Sequence, residues 1–182
     1  MRIAGTFYDV PALVPSNVLR SPSYRQNAYS KAALIYDVLQ DMLGVEVFKT
    51  ALRGYINEWN GKHPSPYDFF NIMSSSSGKE LNWFWKKWFM EFLKPDLAIK
   101  KTSIDNSILS ITVSNEGGLP LPVELNIIQS NGKTINIHKS AEIWKEGNSE
   151  VVISENVESE IKSITLGSKY IPDVNPKDNT TE

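Results

Sequence analysis

The sequence predicts a two-part α+β chain, in which an antiparallel α-helical segment is followed by an antiparallel β-sandwich. Between residues 24 and 93 apolar residues recur with a period of about 3.6, which is typical of amphipathic helices. After Pro95 the period falls to about 2, which is typical of half-buried strands. We therefore assign residues 1–95 to the helical part and residues 96–182 to the sandwich with a polar C-terminal tail.

Residues 1–27 precede the first helix and are predicted to form an irregular lead-in. Pro11, Pro15 and Pro22 lie among serines and asparagines, and these residue types interrupt regular elements. The first fifteen residues lack the uninterrupted apolar core of a signal peptide. No stretch of the sequence is long and apolar enough to predict a membrane span.

The first helix is predicted from Tyr29 to Gly44, and we expect it to be the central element. One apolar stripe recurs at helical spacing and consists of Tyr29, Ala32, Ala33, Tyr36, Leu39, Gln40 and Leu43. Further apolar residues lie off that stripe, which predicts packing on more than one side: Leu34, Ile35, Val38 and Met42. Gly44 ends the helix, because a residue without Cβ can adopt the left-handed conformation.

A second amphipathic helix follows directly and ends at Asn60-Gly61. Its apolar face is predicted from the spacing of Phe48, Leu52, Tyr55, Ile56 and Trp59. Two amphipathic helices joined by so short a connection are expected to lie antiparallel, with each covering the apolar stripe of the other.

The third helix has its own start signals. Ser65 is suited to the N-cap, Pro66 to the first helical position and Asp68 to the third. The helix is predicted to end near Met73, because the serines at 74–77 compete for backbone hydrogen bonds and Gly78 frees the backbone. A flexible linker at this point is the alternative.

The fourth helix, at about residues 79–93, is the most aromatic element. Its predicted apolar face consists of Leu81, Phe84, Trp85, Trp88, Phe89 and Phe92. So aromatic a face is compatible with a membrane surface, but only Lys86 and Lys87 accompany it, which favours packing into a core. Pro95 ends the helix, because it lacks an N–H and disfavours helical geometry in the preceding residue.

The second part reads as short strands separated by turns. Alternating apolar residues predict strands around Leu109, Ile111 and Val113, and then around Val123, Leu125 and Ile127. Asn131-Gly132 predicts a hairpin with a type I′ turn, which needs positive φ at both central residues. With further strands at 151–153 and 161–166, the pattern is typical of an immunoglobulin-like sandwich, which we interpret as a structural module.

Composition excludes several classes of function. The 182 residues are 41% hydrophobic, enough for a sizeable core, and the formal charge is −2 from 19 basic and 21 acidic residues. Because no basic run stands out, nucleic acid is not expected as a partner. The absence of cysteine excludes disulfides, thiolate metal sites and a cysteine nucleophile.

The helical part also resembles the gluzincin aminopeptidase family, which is typified by aminopeptidase N. The shared pattern is Tyr-x-Lys, Leu-Gly, Phe, Tyr-x-x-x-Trp, His-Pro-x-Pro-x-Asp-Phe and Gly-x-x-Leu-x-x-Phe-x-x-x-Trp. Here these motifs fall on Tyr29, Lys31, Leu43, Gly44, Phe48, Tyr55, Trp59, residues 63–69, Gly78, Leu81, Phe84 and Trp88. Ala32 departs from the family, which usually has glycine there, although alanine is also small.

The resemblance covers the part of the family's catalytic domain that follows the zinc site, with a small β-sandwich behind it. It implies that the chain is a fragment of a zinc-dependent aminopeptidase, which hydrolyses peptides from the N-terminus. It also implies that a zinc-bearing segment lies upstream in the same polypeptide. By analogy alone, the location would be a bacterial periplasm or cell envelope.

Tyr29 is the catalytic residue that the resemblance implies. In the family this tyrosine donates its hydroxyl to the oxyanion of the tetrahedral intermediate, opposite the zinc, and such a donor stabilises the transition state. A second tyrosine often occurs shortly before, and Tyr24 is the candidate. The alternatives are that Tyr29 only begins a buried stripe and that Tyr24 is a half-buried loop residue.

The chain alone is predicted to bind no metal. It lacks His-Glu-x-x-His, and its histidines, His63 and His138, stand apart in the sequence. Asp173, Asn175 and Asp178 resemble part of a calcium loop, but turn chemistry explains them better. A function of another class also stays open: a non-catalytic module in which a helical bundle and a sandwich bind a protein or a carbohydrate.

Overall fold

A computed structural model describes residues 4–181 of the chain. Close contacts divide the chain into two compact units, which are residues 7–92 and residues 93–181 with residues 4–6. The first unit holds the α-helices and the second holds two antiparallel sheets, so the predicted fold class is confirmed. Residues 1–3 of the predicted lead-in and residue 182 of the predicted tail lie outside the described residues.

The helical unit is one succession of helices with two π-helical segments. In chain order its elements are a 3-10 helix (Ser16–Val18), α1 (Ser23–Arg25), a first π segment (Gln26–Lys31), α2 (Ala32–Leu43), α3 (Val45–Trp59), α4 (Pro66–Ser77), α5 (Asn82–Trp85) and a second π segment (Lys86–Met90). A 3-10 helix at Ser16–Val18 and α-helical structure from Ser23 therefore lie inside the predicted irregular lead-in. No helix in the described part of the chain has the length and apolar character needed to cross a membrane.

The apolar stripe predicted from Tyr29 along α2 is exposed at three of its positions. Tyr29, Ala33 and Tyr36 are exposed, and burial follows the aliphatic row of Leu34, Ile35, Val38, Leu39, Met42 and Leu43. Both rows are apolar at helical spacing, so periodicity alone could not choose between them. The aliphatic row loses no hydrogen-bonding group on burial, whereas a buried tyrosine hydroxyl needs a partner.

Helix α4 extends to Ser77, beyond its predicted end near Met73. The Ser75 hydroxyl donates to the Ile72 carbonyl at 3.2 Å and the Ser77 hydroxyl to the Ser74 carbonyl at 3.1 Å. The serines thus bond within the helix instead of breaking it. The predicted start is confirmed, since the Ser65 N–H donates to the Asp68 carboxylate at 2.7 Å.

The aromatic fourth helix is shorter than predicted. It runs from Asn82 only to Met90, because Glu91 adopts an extended conformation, and Phe92 beyond it is exposed. Trp85 and Trp88 are fully enclosed, in agreement with the interpretation of this face as core.

The second unit contains seven strands in two sheets. They are β1 (Leu97–Asp105), β2 (Ile108–Asn115), β3 (Val123–Gln129), β4 (Thr134–Lys139), β5 (Glu150–Asn156), β6 (Ile161–Leu166) and β7 (Thr180–Thr181). The strand orders are β1-β2-β5 and β4-β3-β6-β7, all antiparallel. The predicted alternation is observed on β2 and β3, whose apolar side chains are buried.

The hairpin between β3 and β4 is present, but its predicted type I′ turn is wrong. Of Asn131 and Gly132 only the glycine has positive φ, at 86°, and the Gln129 N–H donates across the loop to the Lys133 carbonyl at 2.9 Å. Positive φ at two successive residues occurs between β1 and β2, at Asn106 (47°) and Ser107 (64°). Asparagine tolerates this region better than serine does.

Candidate functional site

The first π segment divides into buried and exposed residues. Gln26, Asn27 and Lys31 are buried, whereas Ala28, Tyr29 and Ser30 between them are exposed. A π turn is wider than an α turn, and it is frequent at functional sites. Tyr29 therefore lies on the exposed side of this segment, and the opposite side is buried in the helical unit.

Lys31 anchors this segment. Its ammonium lies 2.9 Å from Oδ1 of Asp9, and both side chains are 3% exposed. The same ammonium donates to the Val10 carbonyl at 2.7 Å. A buried lysine is tolerated only with close partners, because desolvating its charge is costly. The pair therefore ties Asp9 to the segment that carries Tyr29.

Residues 9–13, which we call the strap, connect the two π segments. Asn27 donates its side-chain N–H groups to the Pro11 carbonyl at 3.3 Å and the Ala12 carbonyl at 3.4 Å. On the other side, the backbone N–H groups of Ala12 and Leu13 donate to carbonyls of the second π segment, those of Trp88 (3.3 Å) and Phe89 (3.0 Å). The strap thus fixes the first π segment to the aromatic core.

Tyr29 itself is 63% exposed, so it is not a buried member of a stripe. Tyr24, on α1, is also exposed and packs edge-on against it, with ring centroids 6.3 Å apart and an interplanar angle of 74°. The two tyrosines singled out in the sequence are therefore neighbours on the surface of the helical unit. The edge contact limits the orientations of the Tyr29 ring, although most of the residue is exposed.

Sequence reasoning missed Asp9. The signal was available, because Asp9 is a single acidic residue among Phe7, Tyr8 and Val10, and Lys31 lies in helical register with the buried Leu34. One acid and one base, each in apolar surroundings, are best explained by pairing with each other. Their separation of 22 positions hid the relationship.

The described side chains do not fit a zinc ion. Among residues 4–181 there is no group of three or more His, Cys, Asp or Glu side chains that could hold a metal. His63 is exposed between α3 and α4, and Nδ1 of His138 on β4 lies 3.9 Å from a carboxylate oxygen of Glu124.

The residues of the possible calcium loop instead bond to one another and to the backbone. Asp173 accepts from the N–H groups of Asn175 (2.8 Å) and Leu97 (3.0 Å), and the Asn175 amide donates to the Asp178 carboxylate. Such bonds are those of turn-forming Asp and Asn residues.

Comparison with known proteins finds a family model that matches most of the helical unit. The model of the peptidase family M1 domain matches residues 15–88. Tricorn protease-interacting factor F2 from Thermoplasma volcanium is 25% identical over 119 residues, which cover 62% of this chain and 15% of that protein.

A solved structure is similar over more of the chain. The crystal structure of Legionella pneumophila aminopeptidase A in complex with aspartic acid matches with a TM-score of 0.63 and 20% identity, over 79% of this chain and 17% of that one. The likeness shows a shared fold that continues beyond the helical unit. The chain thus spans less than one fifth of the length of either protein.

Proposed function

We propose that this chain acts in a zinc-dependent aminopeptidase, which hydrolyses peptides from the N-terminus, because residues 15–88 match the model of the peptidase family M1 domain. Its own contribution is the hydroxyl of Tyr29, which donates a hydrogen bond to the oxyanion of the tetrahedral intermediate. Zinc, when bound, supplies electrophilic activation and a water nucleophile. Its ligands would come from an upstream segment of the same polypeptide, because the described residues do not fit the ion.

One observation supports the catalytic role of Tyr29. Its exposed phenol lies on a backbone segment whose buried side chains are hydrogen-bonded to the strap. Tyr29 is 63% exposed, while the neighbouring Asn27 and Lys31 are buried and bonded to the strap. A donor that is already in place needs no reorganisation when negative charge develops on the substrate. This arrangement supports a catalytic role better than a packing role.

The chemistry of the group is also suitable. A phenol can donate a hydrogen bond without ionising near neutral pH. Its bond strengthens as the carbonyl oxygen becomes an oxyanion, so it stabilises the transition state more than the bound substrate. Tyr24 orients the Tyr29 ring through their edge contact and needs no direct role in the reaction.

The test is to express the chain together with the coding sequence that precedes it, and to measure zinc content and release of N-terminal residues from peptides. We expect one zinc per polypeptide, a His-Glu-x-x-His motif in the added segment and hydrolysis that a chelator abolishes. The chain alone should bind no zinc stoichiometrically and should not hydrolyse peptides. Absence of zinc and activity from the longer polypeptide would favour a non-catalytic interaction module instead.

A further inference from the structure

The tripeptide Asn-Gly-Lys occurs twice in the chain, at residues 60–62 after α3 and at residues 131–133 between β3 and β4. Asparagine before glycine readily loses its side-chain amide, because glycine has no Cβ to hinder attack by its own backbone nitrogen. All six residues are exposed, so solvent reaches both tripeptides. Their hydrogen bonds, however, differ.

At Asn131 both groups that would react are hydrogen-bonded. The Gly132 N–H donates to the Gln129 carbonyl at 2.9 Å, and Oδ1 of Asn131 accepts from the Lys133 N–H at 2.9 Å. The Gln129 N–H closes the loop by donating to the Lys133 carbonyl, also at 2.9 Å. The hairpin must therefore open before the Gly132 nitrogen can reach the side chain of Asn131.

Asn60 lacks this protection. Within residues 4–181, neither the Asn60 side chain nor the Gly61 N–H has a hydrogen-bond partner. The ψ of Asn60 is 126°, which keeps the Gly61 nitrogen away from Cγ, so ring closure requires rotation about the Cα–C bond. This rotation interrupts the bond from the Lys62 N–H to the Trp59 carbonyl, but the reacting groups themselves are free.

We propose that Asn60 is a site of spontaneous deamidation, whereas Asn131 is protected by its hairpin. The Gly61 nitrogen bonds to Cγ of Asn60 and gives up its proton, and the side-chain nitrogen leaves with that proton as ammonia. Water then opens the cyclic imide at either carbonyl, which yields aspartate or isoaspartate. The inference is independent of the proposed peptidase function.

The modification alters the end of α3. Asn60 is the C-cap residue, and its N–H donates to the Ile56 carbonyl at 2.8 Å. The new carboxylate lies near the last carbonyls of the helix, where the helix dipole disfavours negative charge. Isoaspartate also adds one carbon atom to the backbone of this turn. Amide hydrogen exchange at Lys62 should therefore be faster in the modified chain.

The test is to incubate the unaltered chain in warm, mildly alkaline buffer and to follow both tripeptides by protease digestion and mass spectrometry. Each neutral hydrogen bond that must open slows a reaction by a factor of about 2 to 10. We therefore expect Asn60 to react on the order of tenfold faster than Asn131. Isoaspartate should form at Asn60, because it arises from the cyclic imide and not from direct hydrolysis of the amide.

The control is the same incubation in guanidinium chloride at a concentration that unfolds the chain. Both tripeptides then lose the hydrogen bonds of the folded state and have the same sequence, so their rates should become nearly equal. In the folded chain, Asn60→Gln should abolish the fast reaction, since glutamine would have to close a larger ring. Asn131→Gln should leave the fast reaction unchanged.

Three results would overturn the proposal. One is an equal rate at Asn60 and Asn131 in the folded chain. Another is an intact Asn60 in the folded chain under conditions in which the unfolded chain reacts at both positions. The third is aspartate without isoaspartate at Asn60, which would exclude attack by the Gly61 nitrogen.

Discussion

The ammonium of Lys31 and the carboxylate of Asp9 lie 2.9 Å apart inside the helical unit, and their side chains are almost completely enclosed. Transfer of each charge from water costs several kcal/mol, which only close pairing and further hydrogen bonds offset. Lys31 has such a further bond, to the Val10 carbonyl. The pair therefore couples the strap to the first π segment, and each partner depends on the other.

Lys31→Met should lower the free energy of unfolding by about 3 to 5 kcal/mol, because the Asp9 carboxylate loses its ammonium while it remains buried. The double variant Lys31→Met/Asp9→Leu removes both charges and should be clearly more stable than Lys31→Met alone. Urea denaturation of the full chain measures both values.

The control is Lys49→Met on α3. Lys49 pairs with Glu46 at 3.5 Å, but both side chains are well exposed. Its loss should change the free energy of unfolding by no more than about 1 kcal/mol. Equal effects of Lys31→Met and Lys49→Met would contradict the anchoring role of the buried pair.

The turn between β1 and β2 offers a stabilising substitution. Ser107 has a φ of 64°, which costs an L-residue roughly 1 to 2 kcal/mol and costs glycine nothing. Ser107→Gly should therefore raise the free energy of unfolding by about 1 kcal/mol. As a control, Ser103→Gly within β1 should lower it by about 0.5 to 1 kcal/mol, because glycine weakens a strand interior. A lower stability of Ser107→Gly would contradict the turn geometry.

The stability of the helical unit should fall at high pH in part through Tyr36. Tyr36 keeps 42% of its surface exposed, but partial burial, and then the neighbouring Tyr55, raise the pKa of its phenol above its ordinary value. The folded chain therefore keeps this proton at a pH where the unfolded chain has released it. The stabilisation is complete below about pH 10, the pKa of an unfolded tyrosine, and is lost as the pH rises through the folded pKa.

Urea denaturation at a series of pH values above neutrality tests whether the free energy of unfolding falls as predicted. Tyr36→Phe removes the titrating group, so its free energy of unfolding should decline less steeply above about pH 10 than that of the unaltered chain. Parallel curves for the two proteins would show that Tyr36 titrates alike in the folded and unfolded states.

Local signals in the sequence predicted where a helix begins better than they predicted which of its faces is buried. The start of α4 follows from Ser65, Pro66 and Asp68, whose capping interactions act within one helical turn. The buried face of α2 did not follow, because two apolar rows share one helix and the choice between them depends on what the helix packs against.

Only part of the candidate site could be predicted from the sequence, because the rest depends on tertiary contacts. Tyr29 and Tyr24 were selected by motif order, and the structure places their rings in contact on the surface, while the catalytic role of Tyr29 stays a prediction. The π geometry and the strap were not predicted, since a wider turn leaves little trace in apolar spacing and the Asp9–Lys31 bond joins residues 22 positions apart. The sequence marks Asp9 and Lys31 as an acid and a base in apolar surroundings, but that the two meet is visible only in the tertiary structure.

Tyr29→Phe tests the proposed catalytic role in the longer polypeptide that carries the zinc-bearing segment. The substitution keeps the ring that packs on Tyr24 and removes only the donor, so folding and zinc content should not change. We expect kcat to fall on the order of 100-fold to 1,000-fold, equivalent to about 3 to 4 kcal/mol, as for removal of one oxyanion donor.

KM should change little, because the lost bond is made chiefly in the transition state. Tyr67→Phe is the matched control, since Tyr67 on α4 is also an exposed tyrosine that packs edge-on, against Phe70, and it should leave kcat near its original value. A higher KM at constant kcat would assign Tyr29 to substrate binding instead. Small and equal effects at Tyr29 and Tyr67 would mean that the exposed phenol takes no part in the reaction, even if the polypeptide proves to be a zinc aminopeptidase.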